Sequence, residues 1–120
     1  MPIVKVDMVG KQDPQVKKEF MEFVADLVCS NTSTLKKNIF VYINEWDPEN
    51  CRKTSPVVMI DWTMMPDRTD AVKQKIMVAL TDRLVEMTGA NKNEVVVIFT
   101  DIPLKNASVG GVTRQDNPDL

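Results

Sequence analysis

Histidine is absent from all 120 residues. Its absence excludes Ser-His-Asp and Cys-His catalysis, histidine-ligated metal sites, and the usual side-chain acid–base group near neutral pH. Cysteine is scarce: Cys29 falls in an expected helix and Cys51 in a loop. Neither belongs to a close metal-ligand cluster, and their contexts give no specific reason for a bridge. No excess of positive charge is present, because 15 basic and 17 acidic residues leave a formal charge of −2. That balance supplies no broad basic surface for nucleic acid. No apolar run reaches membrane-spanning length, and "MPIVKVDMV" lacks the apolar core and cleavage pattern of a secretory signal. A soluble, cytoplasmic protein with one substantial core is the expectation.

What the chain does have is a repeat. "MPIVKVDMV" at the start returns as "SPVVMIDWT" at Ser55 to Thr63, so a proline opens the same apolar strand twice. Removal of the initiator methionine frees Pro2 as a secondary amine, whereas Pro56 stays locked in a peptide bond. One copy can carry nitrogen chemistry that the other cannot. Both prolines also fit the first residue of a strand, where a missing N–H is tolerated.

Alternation over Ile3 to Val9 predicts a strand, with Ile3, Lys5 and Asp7 on one face and Val4, Val6 and Met8 turned toward a helix layer. Asp13 can cap the following helix with Pro14 in its first position. Val16, Phe20, Phe23, Val24, Leu27 and Val28 form its apolar stripe, which should end near Ser30 to Ser33. Asn38 to Trp46 reads as a strand, and the long crossover fits a parallel βαβ unit. After a polar linker at 47–55 the pattern recurs: a strand at Pro56 to Trp62, a helix from about Thr69 to Thr88 stopped by Gly89, and a strand at Glu94 to Thr100. The expected fold is α/β: tandem βαβ repeats at about 2–46 and 56–101 forming one four-stranded mixed sheet in a single domain, with both helices on one face. The open face, largely apolar, calls for other subunits. "NASVGG" at Asn106 to Gly111 can make an edge strand or hairpin, and "TRQDNPDL" is expected to be loosely ordered.

With the tandem "MPIVKVDMV" and "PVVMIDW", the βαβ spacing and the closing "SVGG", the chain resembles the tautomerase superfamily, in particular fused 4-oxalocrotonate tautomerase-like proteins. The resemblance covers nearly the whole chain. It implies a trimer, and a processed Pro2 that moves protons on small oxo or enol acids. It also implies a carboxylate-binding role for Arg68 of "MMPDRTD", which matches the family's arginine before the helix. In the first repeat Gln12 holds the closer matching position, and Lys11 offers charge. The chain departs from the family pattern where muconate-processing members carry a second arginine on the strand after the helix. The matching residues are Phe40 and Val96. A smaller or more apolar monocarboxylate is therefore the expected substrate.

A secondary amine in an apolar pocket beside a cation is shifted toward its neutral form, so Pro2 can act as the base that histidine would otherwise supply. Lys11, Tyr42, Asn44 and Trp46 are candidate substrate contacts: a second charge, a hydrogen bond to an enolate, one to a carbonyl, and an apolar wall. Each also has a structural reading: an exposed turn, packing, a strand-end hydrogen bond, and core or interface filling. Met64 and Met65 are expected to close apolar space. Asp7 and Asp61 are expected to orient backbone or face a subunit seam, without forming a metal site. No metal or organic cofactor is indicated. The expectation is a keto–enol tautomerase. Decarboxylation or hydration-type dehalogenation in the same pocket, drawing on Glu45, Asp47 or Asp101, and a noncatalytic oligomeric scaffold are the alternatives.

Overall fold

The computed structural model describes residues 1–117. Strand β1 (Ile3–Val9) leads into helix α1 (Pro14–Asn31) and strand β2 (Phe40–Trp46). The second repeat follows as β3 (Val57–Thr63), α2 (Asp70–Thr88) and β4 (Val96–Ile102), and a short hairpin, β5 (Ser108–Val109) and β6 (Val112–Thr113), closes the chain. The sheet order is β2-β1-β3-β4. Within each repeat the strands are parallel, with Ile3 opposite Phe40 and Val57 opposite Val96. Between repeats β1 and β3 run antiparallel, with Ile3 opposite Asp61 and Asp7 opposite Val57. The antiparallel join is what places the start of the chain beside the end of β3, in the other repeat.

The helix ends follow from local chemistry. The Asp13 side chain accepts from the Gln15 N–H at 2.8 Å with Pro14 at the first position of α1, and Thr69 accepts from the Val72 N–H at 3.2 Å to open α2. Gly89 ends α2 at φ +71°, a left-handed conformation that glycine adopts without a Cβ penalty. Strands β2 and β4 start two residues later than the apolar pattern predicts. Lys36–Asn38 and Lys92–Glu94 each form one tight 3₁₀ turn first, and β4 then runs on to Ile102.

The core lies between the helices and one sheet face. Val4, Val6 and Met8 of β1 and Val58, Ile60 and Trp62 of β3 meet Phe20, Val24 and Val28 of α1 and Ile76, Leu80 and Leu84 of α2, all essentially without solvent contact. Burying each such side chain contributes about 1.5–3 kcal/mol. The opposite face is bare: Phe40, Tyr42, Trp46, Met59, Val96 and Ile98 are between 42% and 53% exposed. Among the described residues no helix is long and apolar enough to cross a membrane. Two expectations change. Met64 closes no apolar space within the chain, since it follows β3 with 54% of its surface exposed. The segment from Thr113 to Asn117 is folded, because Arg114 is buried and its N–H binds the Ala107 carbonyl at 2.8 Å; residues 118–120 lie outside the described residues.

Candidate functional site at the amino terminus

Pro2 is buried, and its carbonyl accepts the Phe40 N–H at 3.0 Å, so the last residue before β1 is pinned by the sheet ladder. The terminal amine, carried here by Met1, is half-buried. Its pKa is lowered from 8.0 to about 5, first by desolvation and then by the positive charges of Arg68 and Arg114. An amine so placed is neutral at pH 7 and has a lone pair to offer. Met1 removal would expose the Pro2 nitrogen, a secondary amine, one residue farther in.

Arg68 stands in the turn between β3 and α2, its N–H bonded to the Met65 carbonyl at 3.0 Å. Its guanidinium donates to the Thr63 carbonyl, to Thr63 Oγ1 at 3.0 Å and, from the other repeat, to Thr34 Oγ1 at 2.8 Å. The Cζ atom lies 5.1 Å from the centre of the Trp62 ring. All these partners are neutral. Among the described residues no carboxylate forms an ion pair with Arg68, and its buried Nε has no hydrogen-bond partner. Desolvation lowers its pKa, but a guanidinium remains charged throughout the physiological range. A desolvated cation held by neutral oxygens retains most of its electrostatic attraction for an incoming anion.

Trp62 is itself fixed. Its Nε1–H donates to Asp101 at 2.7 Å, Phe99 packs against its ring with centroids 4.7 Å apart, and Asp101 pairs with Lys73. Lys73 is also the main cause holding the Asp101 carboxyl below its ordinary range.

Arg114 was not visible as a site residue from the residue pattern. It follows β6, is 3% exposed, and donates to the Asn117 carbonyl at 2.7 Å. The signal that could have found it is the Gly110–Gly111 turn, with φ of +62° and +81°, which is the two-residue hairpin loop that folds the chain back on itself. A hairpin there carries residue 114 inward.

The fold places the Met1 amine, one residue before Pro2, within the electrostatic reach of Arg68. It places the other sequence candidates differently. Tyr42 and Asn44 are exposed on the open face opposite Lys5 and Asp7, and Tyr42 stacks on Phe40 with ring centroids 6.5 Å apart. Trp46 ends β2 opposite Val9 and donates to Asp7 at 2.8 Å. Lys11 is exposed just beyond Gly10 at that same end, where its charge acts on Glu45. A seven-residue strand separates this end from Pro2, roughly 20 Å at about 3.3 Å per residue. Within one chain Lys11, Asn44 and Trp46 therefore do not meet the terminal amine. Among the described residues no group of three or more Cys, Asp or Glu side chains is arranged to hold a metal, and Cys29 and Cys51 are free thiols.

The model of a family described as "Tautomerase enzyme" matches residues 56–117, just over half of the chain. No curated protein matches the sequence. Among solved structures, a fused 4-OT symmetric trimer is 17% identical with a TM-score of 0.79, covering 92% of this chain and 93% of its own. Pt0534, inactivated by 2-oxo-3-pentynoate, is 20% identical with a TM-score of 0.80, covering 96% and 98%. Malonate semialdehyde decarboxylase is 16% identical with a TM-score of 0.74, covering 98% of both chains. At these identities the likeness establishes a shared fold, and the family match over the second repeat establishes descent: the chain belongs to the tautomerase family.

Proposed function

We propose that the chain is a cofactor-independent keto–enol tautomerase for a small 2-oxo or 2-hydroxy unsaturated monocarboxylate, with Pro2 as the proton carrier after Met1 is removed. The observation that carries this reading is the surroundings of the amino terminus: they bury and desolvate the Met1 amine, one residue before Pro2, within the electrostatic reach of a guanidinium anchored only by neutral oxygens. These surroundings support a base and an anion site at the same end of the sheet, without a histidine.

In the reaction Arg68 pairs with the substrate carboxylate and orients the enol. Pro2 nitrogen takes the enol O–H proton as the C–O bond becomes a carbonyl. The electron pair of the C=C bond takes the proton back at carbon, and the amine returns to neutrality. Negative charge developing on the enol oxygen is stabilised by the two guanidiniums that already lower the amine pKa. Positioned acid–base catalysis of this type contributes about 10²–10⁴-fold. Decarboxylation or hydration calls for a protonated amine at neutral pH.

The bare apolar sheet face supports assembly with further copies of the chain, in which Tyr42 and Asn44 approach a neighbouring subunit, and the fused 4-OT trimer of the same fold favours three. Lys11 and Trp46 would be substrate contacts only across such a seam. The test is ultraviolet-detected ketonisation of 2-hydroxymuconate and of the enol of phenylpyruvate by protein whose mass confirms Met1 removal. Activity that falls at least 100-fold in Pro2→Ala supports the reading. Equal activity in parent and variant overturns it.

A further inference from the structure

A cavity of about 270 Å³ opens beside the amino terminus, lined by Met1, Lys37, Asn38, Phe40, Ser108 and Val109. Ligand pockets usually span roughly 300–1,000 Å³. The space therefore suits part of a compact acid and not a large ligand. Two elements build it. The backbone of Phe40 is tied to Pro2 by the N–H to carbonyl bond at 3.0 Å, so one aromatic wall is fixed relative to the amine. Val109 forms the other apolar wall at the tip of β5, held over the amino terminus by the glycine turn. Thr34, which positions Arg68, precedes Lys37 in the same connection between α1 and β2. Met1 borders the cavity, and its amine lies within the electrostatic reach of Arg68.

We infer that this cavity is the subsite for the non-reacting end of the substrate and that it selects an aryl or branched aliphatic tail, with Phe40 and Val109 as the specificity-determining residues. The assignment rests on the reading of Pro2 and Arg68 given above, and it narrows the substrate class to 2-oxo acids with one carboxylate and an apolar terminus. A second carboxylate would meet the Phe40 ring and the Val109 side chain. The one cation lining this cavity is Lys37, an exposed side chain that water screens. Met1 borders the same space, so its removal both frees the Pro2 amine and enlarges the subsite.

The test separates binding from turnover. Titration of the processed protein with 3-phenylpropionate, propionate and glutarate, followed by calorimetry or tryptophan fluorescence, should give at least tenfold tighter binding of 3-phenylpropionate than of either other acid. Val109→Trp, which fills the cavity, should erase that preference. Val109→Lys should shift it at least fivefold toward glutarate. Circular dichroism shows whether each variant keeps its fold, and the ligand series on the unsubstituted protein tests the preference without any variant. Equal binding of all three acids, or tighter binding of glutarate by the parent, overturns the assignment. The 3-phenylpropionate preference without any tautomerisation of the phenylpyruvate enol overturns the proton-transfer reading and supports the cavity assignment.

Discussion

At one end of the β1–β3 pair the amino terminus lies within the electrostatic reach of Arg68 and Arg114, whereas at the other end Pro56 shares a cavity with Gln12, Ser55 and Glu94. The two ends are built alike. Each has a strand-opening proline, a 3₁₀ turn before the parallel strand beside it, and an ion pair from the first turns of the other repeat's helix to the end of that repeat's last strand, Lys73 with Asp101 at the Pro2 end and Lys17 with Glu45 at the Pro56 end. Their chemistry differs in two places. The Pro56 nitrogen is an amide, and the position matching Arg68 holds Gln12. Where the first end presents cations around a neutral amine, the second presents Glu94, which accepts from Ser55 at 2.9 Å. Duplication of a scaffold copies packing faithfully. It leaves the chemistry to whichever copy holds the chain end.

The comparison can be broken most severely at the prolines. Pro2→Ala in processed protein should lower kcat/KM at least 100-fold. Pro56→Ala should leave it within about threefold, since an amide nitrogen transfers no proton. Steady-state kinetics on both variants decides this; equal losses would mean the prolines matter only for folding. Next in size is the pair Arg68→Gln and Gln12→Arg. The first should raise KM and lower kcat/KM by about 10²-fold through the loss of a charge-assisted carboxylate contact. The second should not move either parameter, because a guanidinium at the far end has no amine to work with.

A smaller effect sharpens the electrostatic side. Arg114 helps hold the terminal amine well below its ordinary value, so Arg114→Gln should raise the amine pKa. The acid limb of the kcat/KM profile would then move to higher pH, and the ratio of activity at pH 6 to activity at pH 8 would fall. An unmoved limb would show that Arg114 acts only by holding the hairpin. The smallest effect concerns the ion pair behind Trp62. The Asp101 pKa is lowered in the fold, so the pair's stabilisation is present above the usual carboxylate range and disappears as pH falls through the lowered value. Asp101→Asn keeps an acceptor for Trp62 and removes the charge opposite Lys73. It should cost no more than about 1 kcal/mol at pH 7, less at high salt, by thermal unfolding.

Much of the molecule was legible from periodicity. Val4, Val6 and Met8 alternate with Ile3, Lys5 and Asp7 as a half-buried strand must, and Asp13–Pro14 and Gly89 mark helix ends for reasons confined to a few neighbouring residues. The 3₁₀ turns before β2 and β4 were not, because an apolar run such as "NIFVYINEW" carries no mark of where a tight turn gives way to a strand. Met64 was misjudged for a related reason. An apolar side chain after a strand has no periodic face to declare, and in this chain it faces solvent.

The site shows the same division. Pro2 could be singled out in the sequence because its nitrogen differs chemically from every other proline once the chain begins there. Arg68 drew attention by its place before a helix. That Arg68 acts on the amino terminus follows from the antiparallel pairing of Ile3 with Asp61, a contact between residues far apart in the chain. Arg114 and Val109 depend on a hairpin folding back over the amino terminus, and Thr34 on a loop of one repeat reaching an arginine of the other. The sequence by itself determined the elements, the duplicated core and the identity of the unusual amine, because those properties depend on near neighbours and on the periods of strand and helix. Only the tertiary structure decided which cations surround that amine and which walls bound its cavity. Burial and electrostatic attraction depend on distances through space, and those are set by how the two repeats pack against each other.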